Sequence, residues 1–396
     1  MFVWIVIVVF VSVSSWSLCE LHHQRMLRSS NQLVGDPCNP GPWGKLSTVS
    51  ITIGPPEELL PVREFETNRP HWFFQGVTRD NLAKFLGGLD LSDGQLEQLL
   101  RPTALHEFPN GVDVEPTAAV VLNIAPAARR AIYKLLANSD SGGLVYVPTK
   151  NLDERFRKNH VSSDTIALFN KCSCSVGRSS VFTGMSYMLS AIPNYDEKVH
   201  FLQSLMQQET LLIYLQIPPH SDVAALTRYW GKSSWTADVK PMLESLAENG
   251  RQVPLDINEL LPPIPEGLLY TYPVQQNPMN GPTIRQDCFW TAFNFFRDIP
   301  DNNFTNVAYT AQKLREDYIP VYADPRYGDL VLYTGLNDYV IHAAVFIADD
   351  IVYTKNGYGA LYPWHFTTIK ELAEIYSFSL PPNQTVHIRY FRNKYS

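Results

Sequence analysis

The run Pro262-Pro263-Ile264-Pro265 constrains this chain more than any other feature of its sequence. Successive prolines break helices and cannot sit in a central strand. The main domain boundary is therefore expected there, with residues 266–396 forming a unit of their own. Upstream, helical periodicity dominates: 80–86, 92–100 with Ser92 as N-cap, 125–137, 163–169, 179–191, 197–208, 221–230 capped by Ser221, and 238–248. Strands are expected only at 142–147 and 211–217. Downstream the order is helix 286–296, helix 303–317, then strand-like runs 329–334, 340–348 and 351–354, with Asp349-Asp350 as a hairpin turn. Helix 368–376 and strand 386–391 finish the unit. Helix first and antiparallel meander after is an α+β arrangement, preceded by a mixed, mostly helical α/β region.

With 396 residues, 45% hydrophobic and 18% charged, the chain can bury two or three cores. The sequence divides into 1–19, a linker 20–45, a unit 46–150 of unknown role, a mixed unit 151–261 that can be continuous with it, and 266–396. Lys and Arg number 32 against 39 Asp and Glu, a net charge of -7. No basic field exists to hold a polyanion, so nucleic acid is not an expected partner.

Residues 2–13 (FVWIVIVVFVSV) are an apolar run with a single Ser, followed by small and polar residues. It falls in the length range of an export signal and short of the roughly 17–25 residues of a spanning helix. The segment lacks Lys and Arg, which leaves an uncleaved anchor as the alternative. Export, with membrane or envelope association through this segment, is the expectation. Without Cys19 four cysteines remain, Cys38, Cys172, Cys174 and Cys288. An oxidising compartment invites pairing, with Cys38 bonded to Cys172 or Cys174 as one arrangement. Cys172-Ser173-Cys174 lacks a second ligand pair at zinc spacing, so no metal is expected.

Chemistry points to Cys288 in IRQDCFWTAFNFF. At a helix N-terminus unpaired N–H groups and the macrodipole favour thiolate over thiol. A nucleophilic thiol needs a base. His342, in YVIHAAVFIA, opens one face of a strand and is the candidate. A third group should fix its tautomer. Thr354 and Asn356 share a face of the next strand, and Asn356 is preferred because its carbonyl accepts an N–H directionally without adding charge. His365 is the rival base, expected at a pocket rim or the surface.

At these residues the chain resembles the NlpC-type cell-wall peptidases of the papain-like cysteine peptidase clan. Asp287-Cys288 matches the family's Asp-Cys helix start, Gly328-Asp329-Leu330 its Gly-Asp-Leu strand start, and His342 its strand-opening His. The likeness covers about residues 270–390. It departs at Phe289-Trp290, where the family has Ser-Gly, and at Thr354, where the family's third residue aligns most simply. The resemblance implies a papain-like fold and a thiol hydrolase. Cys288 would be nucleophile, His342 base, Asn356 the orienting group and Asp329 a structural residue. It implies a peptide or peptidoglycan-like substrate and no cofactor.

Two other readings remain open from the sequence. Phe289-Trp290 could line an acyl groove, giving an acyltransferase with the same thiol. An inactive domain would instead leave an exported binding or structural protein. Trp290, Tyr358, Tyr362 and Trp364 read as an aromatic floor or as core. Arg129-Arg130 and residues 155–158 read as solvated helix faces.

Overall fold

The computed structural model describes residues 35–137, 143–149, 151–176, 179–232, 236–248, 254–273, 286–359, 362–377, 380 and 384–395. The apolar segment 2–13 and most of the linker lie outside the described residues.

The fold is α+β with antiparallel sheets. Upstream, strand β1 (Lys45–Ile53) pairs along its whole length with a later strand. A short strand, β2 (Val145–Pro148), belongs to a three-stranded sheet. The partner of β1 is β3 (Gln208–Gln216). Downstream come β4 (Tyr318–Val321), β5 (Leu330–Thr334), β6 (Val340–Ala348), β7 (Ile351–Lys355), β8 (Trp364–Thr368) and β9 (His387–Asn393). These six form one sheet in the order β4-β9-β5-β6-β7-β8. Helix α1 (Cys288–Phe293) packs on one face of it and α2 (Ile369–Ser377) on the other.

Two large cores result, and neither ends at Pro262. One gathers residues between Leu60 and Met206. The other joins Leu46, Ile213, Trp230, Leu243 and Leu260 to Trp290, Phe293, Val345 and Phe366. Hydrogen bonds follow the same joint: Thr210 Oγ1 donates to Phe366 O at 2.9 Å and accepts from Phe366 N at 3.1 Å, and Tyr229 Oη donates to Ile347 O at 2.8 Å. The prolines start a short helix, Pro263–Leu268, because a proline at the first helical position loses no hydrogen bond.

Several expected elements change. Residues 179–191 are a strand, Ser179–Phe182, and then a helix, Met185–Ala191, broken at Gly184 with φ +78°. The cap of Val223–Trp230 is Asp222, whose carboxylate accepts from Ala225 N, not Ser221. Arg129 and Arg155 are buried, donating to backbone carbonyls: Arg129 reaches Ile124 O at 2.9 Å and Arg155 reaches Gln207 O. A guanidinium can satisfy several carbonyls at once, which is why these two leave the surface. The Asp349 turn forms, with φ +55°.

The β5 entry is held by Asp329. Its buried carboxylate accepts from Arg326 N at 2.8 Å and takes two bonds from Arg392 of β9, at 2.9 and 2.6 Å. Gly328 precedes it at φ +85°, where an added Cβ would lie 2.0 Å from the Phe296 ring. Asp329→Ala should cost about 3 kcal/mol, the scale of breaking a buried pair from one side, measured as a lower urea midpoint. An unchanged midpoint would remove Asp329 from the structural account.

Candidate active site

Asp287 caps α1 by accepting from Trp290 N at 2.8 Å, and Thr291 Oγ1 donates back to Asp287 O at 2.7 Å. Trp364 Nε1 of β8 donates to Thr291 Oγ1 at 3.0 Å, so the helix is pinned over the sheet. Cys288 follows the cap and is buried and free of disulfide. The backbone N–H groups of Ala343 and Phe289 are among the groups that favour its ionised form.

The Ala343 N–H is available because pairing between β6 and β7 stops at Val345 and Tyr353. Past that point the strands are joined by a side chain instead. Thr354 Oγ1 lies 2.8 Å from His342 Nε2 and donates to Ala343 O at 3.4 Å. Helix α1, which Cys288 opens, packs against both β6 and β7. Alternation along β6 puts Ala343 toward α1 and His342 toward α2. There the imidazole stacks on Tyr376, with ring centroids 4.2 Å apart, and neighbours Tyr333 at 5.6 Å. Among the described residues no hydrogen bond joins Cys288 to His342. Thr354 engages Nε2, and among the described residues Nδ1 makes no hydrogen bond.

The expectation of a thiolate at the helix tip is corrected by burial. α1 has only six residues, its cap carboxylate consumes one of the end N–H groups, and the thiol has left water. Desolvation, with Asp287 beside it, pushes the Cys288 thiol up to about 12, against the pull of the two N–H groups and Lys355. His342 is driven down to about 3 by desolvation and by the neighbouring His365. The resting pair is neutral thiol and neutral imidazole, not an ion pair.

Asn356 does not orient the imidazole. Its buried side-chain oxygen accepts nothing, while the Thr354 hydroxyl holds the ring. His365 is in the interior, not at a rim, because residues 364–368 form strand β8; its Nδ1 lies 3.1 Å from Pro363 O. Burial, partly offset by that carbonyl, pushes His365 down to about 4. Trp290 and Trp364 are core, and Tyr358 is exposed.

One functional candidate was invisible to the reading by motif. Lys355 is fully buried on the α1 face of β7, its Nζ donating to Gly357 O at 2.5 Å and Gly359 O at 3.2 Å and lying 5.5 Å from the Trp364 ring. Desolvation pulls this ammonium down to about 7, opposed by the charges of Cys288 and Asp287. A Lys between Thr354 and Asn356-Gly357 carries no periodicity that marks burial.

The upstream unit reaches the same place. Tyr146 N of β2 donates to Tyr362 Oη at 3.3 Å, and both phenols interact electrostatically with Tyr376. Among the described residues no cluster of three or more His, Cys, Asp or Glu could hold a metal, and no helix is long and apolar enough to cross a membrane. No family model, curated protein or solved structure matches the chain.

Both imidazoles are neutral when folded and would protonate near 6.5 when unfolded. As pH falls below that value the unfolded chain takes up protons the folded chain refuses, so stability is lost between 6.5 and the folded values near 3 and 4. Urea midpoints of the wild type should fall from about pH 7 to about pH 4.5, and less steeply in His365→Gln. Equal slopes would show that His365 is not held neutral.

Proposed function

We propose that the protein is a thiol hydrolase acting on amide bonds, with Cys288 as nucleophile and His342 as the proton carrier. What supports this is the company of buried titratable groups in one sheet end: Cys288, His342, Lys355 and His365, with the half-buried Tyr376, lie where the surrounding strands bury hydrocarbon. Desolvating such groups is costly, and perturbed groups that share a site are a mark of chemistry.

The thiol passes its proton to His342 and the sulfur attacks the carbonyl carbon, forming the C–S bond as the carbonyl π pair moves to oxygen. The C–N bond then breaks, and the imidazolium of His342 gives its proton to the departing amine. Water attacks the thioester, returns a proton to the site and releases the acid. Thr354 Oγ1 holds Nε2, leaving Nδ1 for the exchange. Because both partners are neutral at rest, ionisation belongs to the reaction and not to the resting enzyme.

The substrate class follows the resemblance to NlpC-type peptidases: a peptide of the kind found in peptidoglycan stems. Export through residues 2–13 would bring the enzyme to it. The acyl-groove reading loses its support at Trp290, which is buried with its Nε1 donating to Asn302 Oδ1 at 3.0 Å.

Isolated wall peptides should be cleaved by the wild type and not by Cys288→Ala. His342→Ala should lower kcat roughly 10²–10⁴-fold, the usual contribution of a positioned acid–base group. Thr354→Val should cost about tenfold or more by freeing the imidazole, and Asn356→Ala should cost little. Chromatographic detection of new amine termini checks all four. Equal activity of wild type and Cys288→Ala would reject the assignment.

A further inference from the structure

Resting on the thiol-hydrolase reading above, we infer that Tyr376 is a positioning residue for His342: the last turn of α2 lays a phenol ring against the imidazole and fixes the direction in which Nδ1 faces.

Three observations carry this. First, the polar anchor of the ring is by itself a pivot. The Thr354 hydroxyl has one hydrogen and gives it to Ala343 O at 3.4 Å, so toward His342 Nε2, 2.8 Å away, it accepts the ring N–H. That leaves the lone pair on Nδ1, but a contact at one ring atom lets the rest of the ring swing about it. Second, the Tyr376 ring lies 4.2 Å from the imidazole, centroid to centroid, with the planes 18° from parallel. Tyr333, paired with His342 across β5 and β6, stands at 5.6 Å and 53°. A near-parallel ring covers one face of the imidazole and stops the swing; a tilted neighbour only borders it. Third, the helix that carries Tyr376 is fastened to the same strands. Thr368 Oγ1 accepts from Glu371 N at 3.1 Å, Tyr333 Oη donates to Ile369 O at 3.3 Å, and Ile369 N donates to Asp350 O at 2.7 Å. Ile369, Leu372 and Tyr376 recur at helical spacing, so the face that buries Leu372 on the sheet delivers Tyr376 about two turns beyond these anchors.

The two restraints are complementary. Thr354 sets which nitrogen holds the lone pair, and Tyr376 sets the plane in which that lone pair lies. A group that takes up a proton and returns it must present the same atom in the same direction at both steps, and small losses of alignment are costly in rate. A side chain that merely filled the core beside His342 would be replaceable by another apolar residue without effect on the chemistry. A stacking ring would not.

The test joins steady-state kinetics on wall peptides to NMR relaxation of the His342 ring carbons. Tyr376→Leu keeps apolar bulk and removes the ring; it should lower kcat by at least about tenfold and leave KM within about twofold. Tyr376→Phe, which keeps the ring, should retain most of kcat. Thr354→Val combined with Tyr376→Leu should lose less than the product of the two single losses, because a ring freed once is not freed again. The imidazole should be rigid in the wild type and mobile on the ps–ns timescale in Tyr376→Leu. A ring that stays rigid in Tyr376→Leu, or a kcat that does not move, overturns the inference. Should Tyr376→Leu not fold, the proton spectrum decides: stacking should shift the His342 ring protons upfield in the wild type and in Tyr376→Phe alike, and unshifted protons are a refutation. Absent hydrolysis in the wild type, with the ring loosened in Tyr376→Leu, would instead reject the proposed activity and keep the positioning.

Discussion

Backbone pairing between β6 and β7 stops at Val345 and Tyr353, and the candidate site exists because of it. Had the ladder continued, the Ala343 N–H and C=O would bond β7 and the space would be closed. Instead Thr354 spans the gap with a hydroxyl, reaching both His342 Nε2 and Ala343 O. The Ala343 N–H is left to favour the ionised form of Cys288. One missing rung thus supplies help for the thiol and an anchor for the imidazole.

The flanking faces then sort the chemistry. Side chains alternate along β6 and β7, so His342 and Thr354 look to α2 while Ala343 and Lys355 look to α1. On the α2 side a stacked tyrosine and burial keep the imidazole neutral. On the α1 side the buried thiol feels the Asp287 carboxylate and the Lys355 amine electrostatically. The low dielectric that makes each neutral form favourable at rest also strengthens the attraction of the ion pair once it forms. The upstream unit takes part through β2, whose Tyr146 N–H bonds Tyr362 beside this cluster, and through the core that β1 and β3 share with β8.

Much of the downstream sheet could be read in the sequence because its strands carry dense apolar runs with Asp349 at the turn and Gly328-Asp329 at an entry. Strand β8 could not: Pro363 precedes it and His365, Thr367 and Thr368 dilute its pattern. Strand β1 hides in the same way, as KLSTVSITI alternates Ser and Thr with aliphatic residues and follows a polar stretch. Cys288 and His342 were legible as residue types in order, whereas their ionisation was not. A helix start reads as an anion site only when the helix is long and wet, and α1 is short, capped and buried. Thr354 takes the place read for Asn356: its hydroxyl lies 2.8 Å from His342 Nε2, whereas the Asn356 side-chain oxygen has no partner among the described residues. Lys355 escaped notice, and Arg129 and Arg155 read as solvated faces, since charged side chains default to the surface in any reading by composition.

The most direct measurement is intact and peptide mass spectrometry after exposure to a peptidyl acyloxymethyl ketone, which alkylates a thiol that attacks a carbonyl-like centre. The account predicts one adduct, on Cys288, lost in His342→Ala, with Cys38 and Cys174, which have no imidazole assigned to them, left unmodified. An absent adduct, or one carried by Cys38 or Cys174 in place of Cys288, would contradict it.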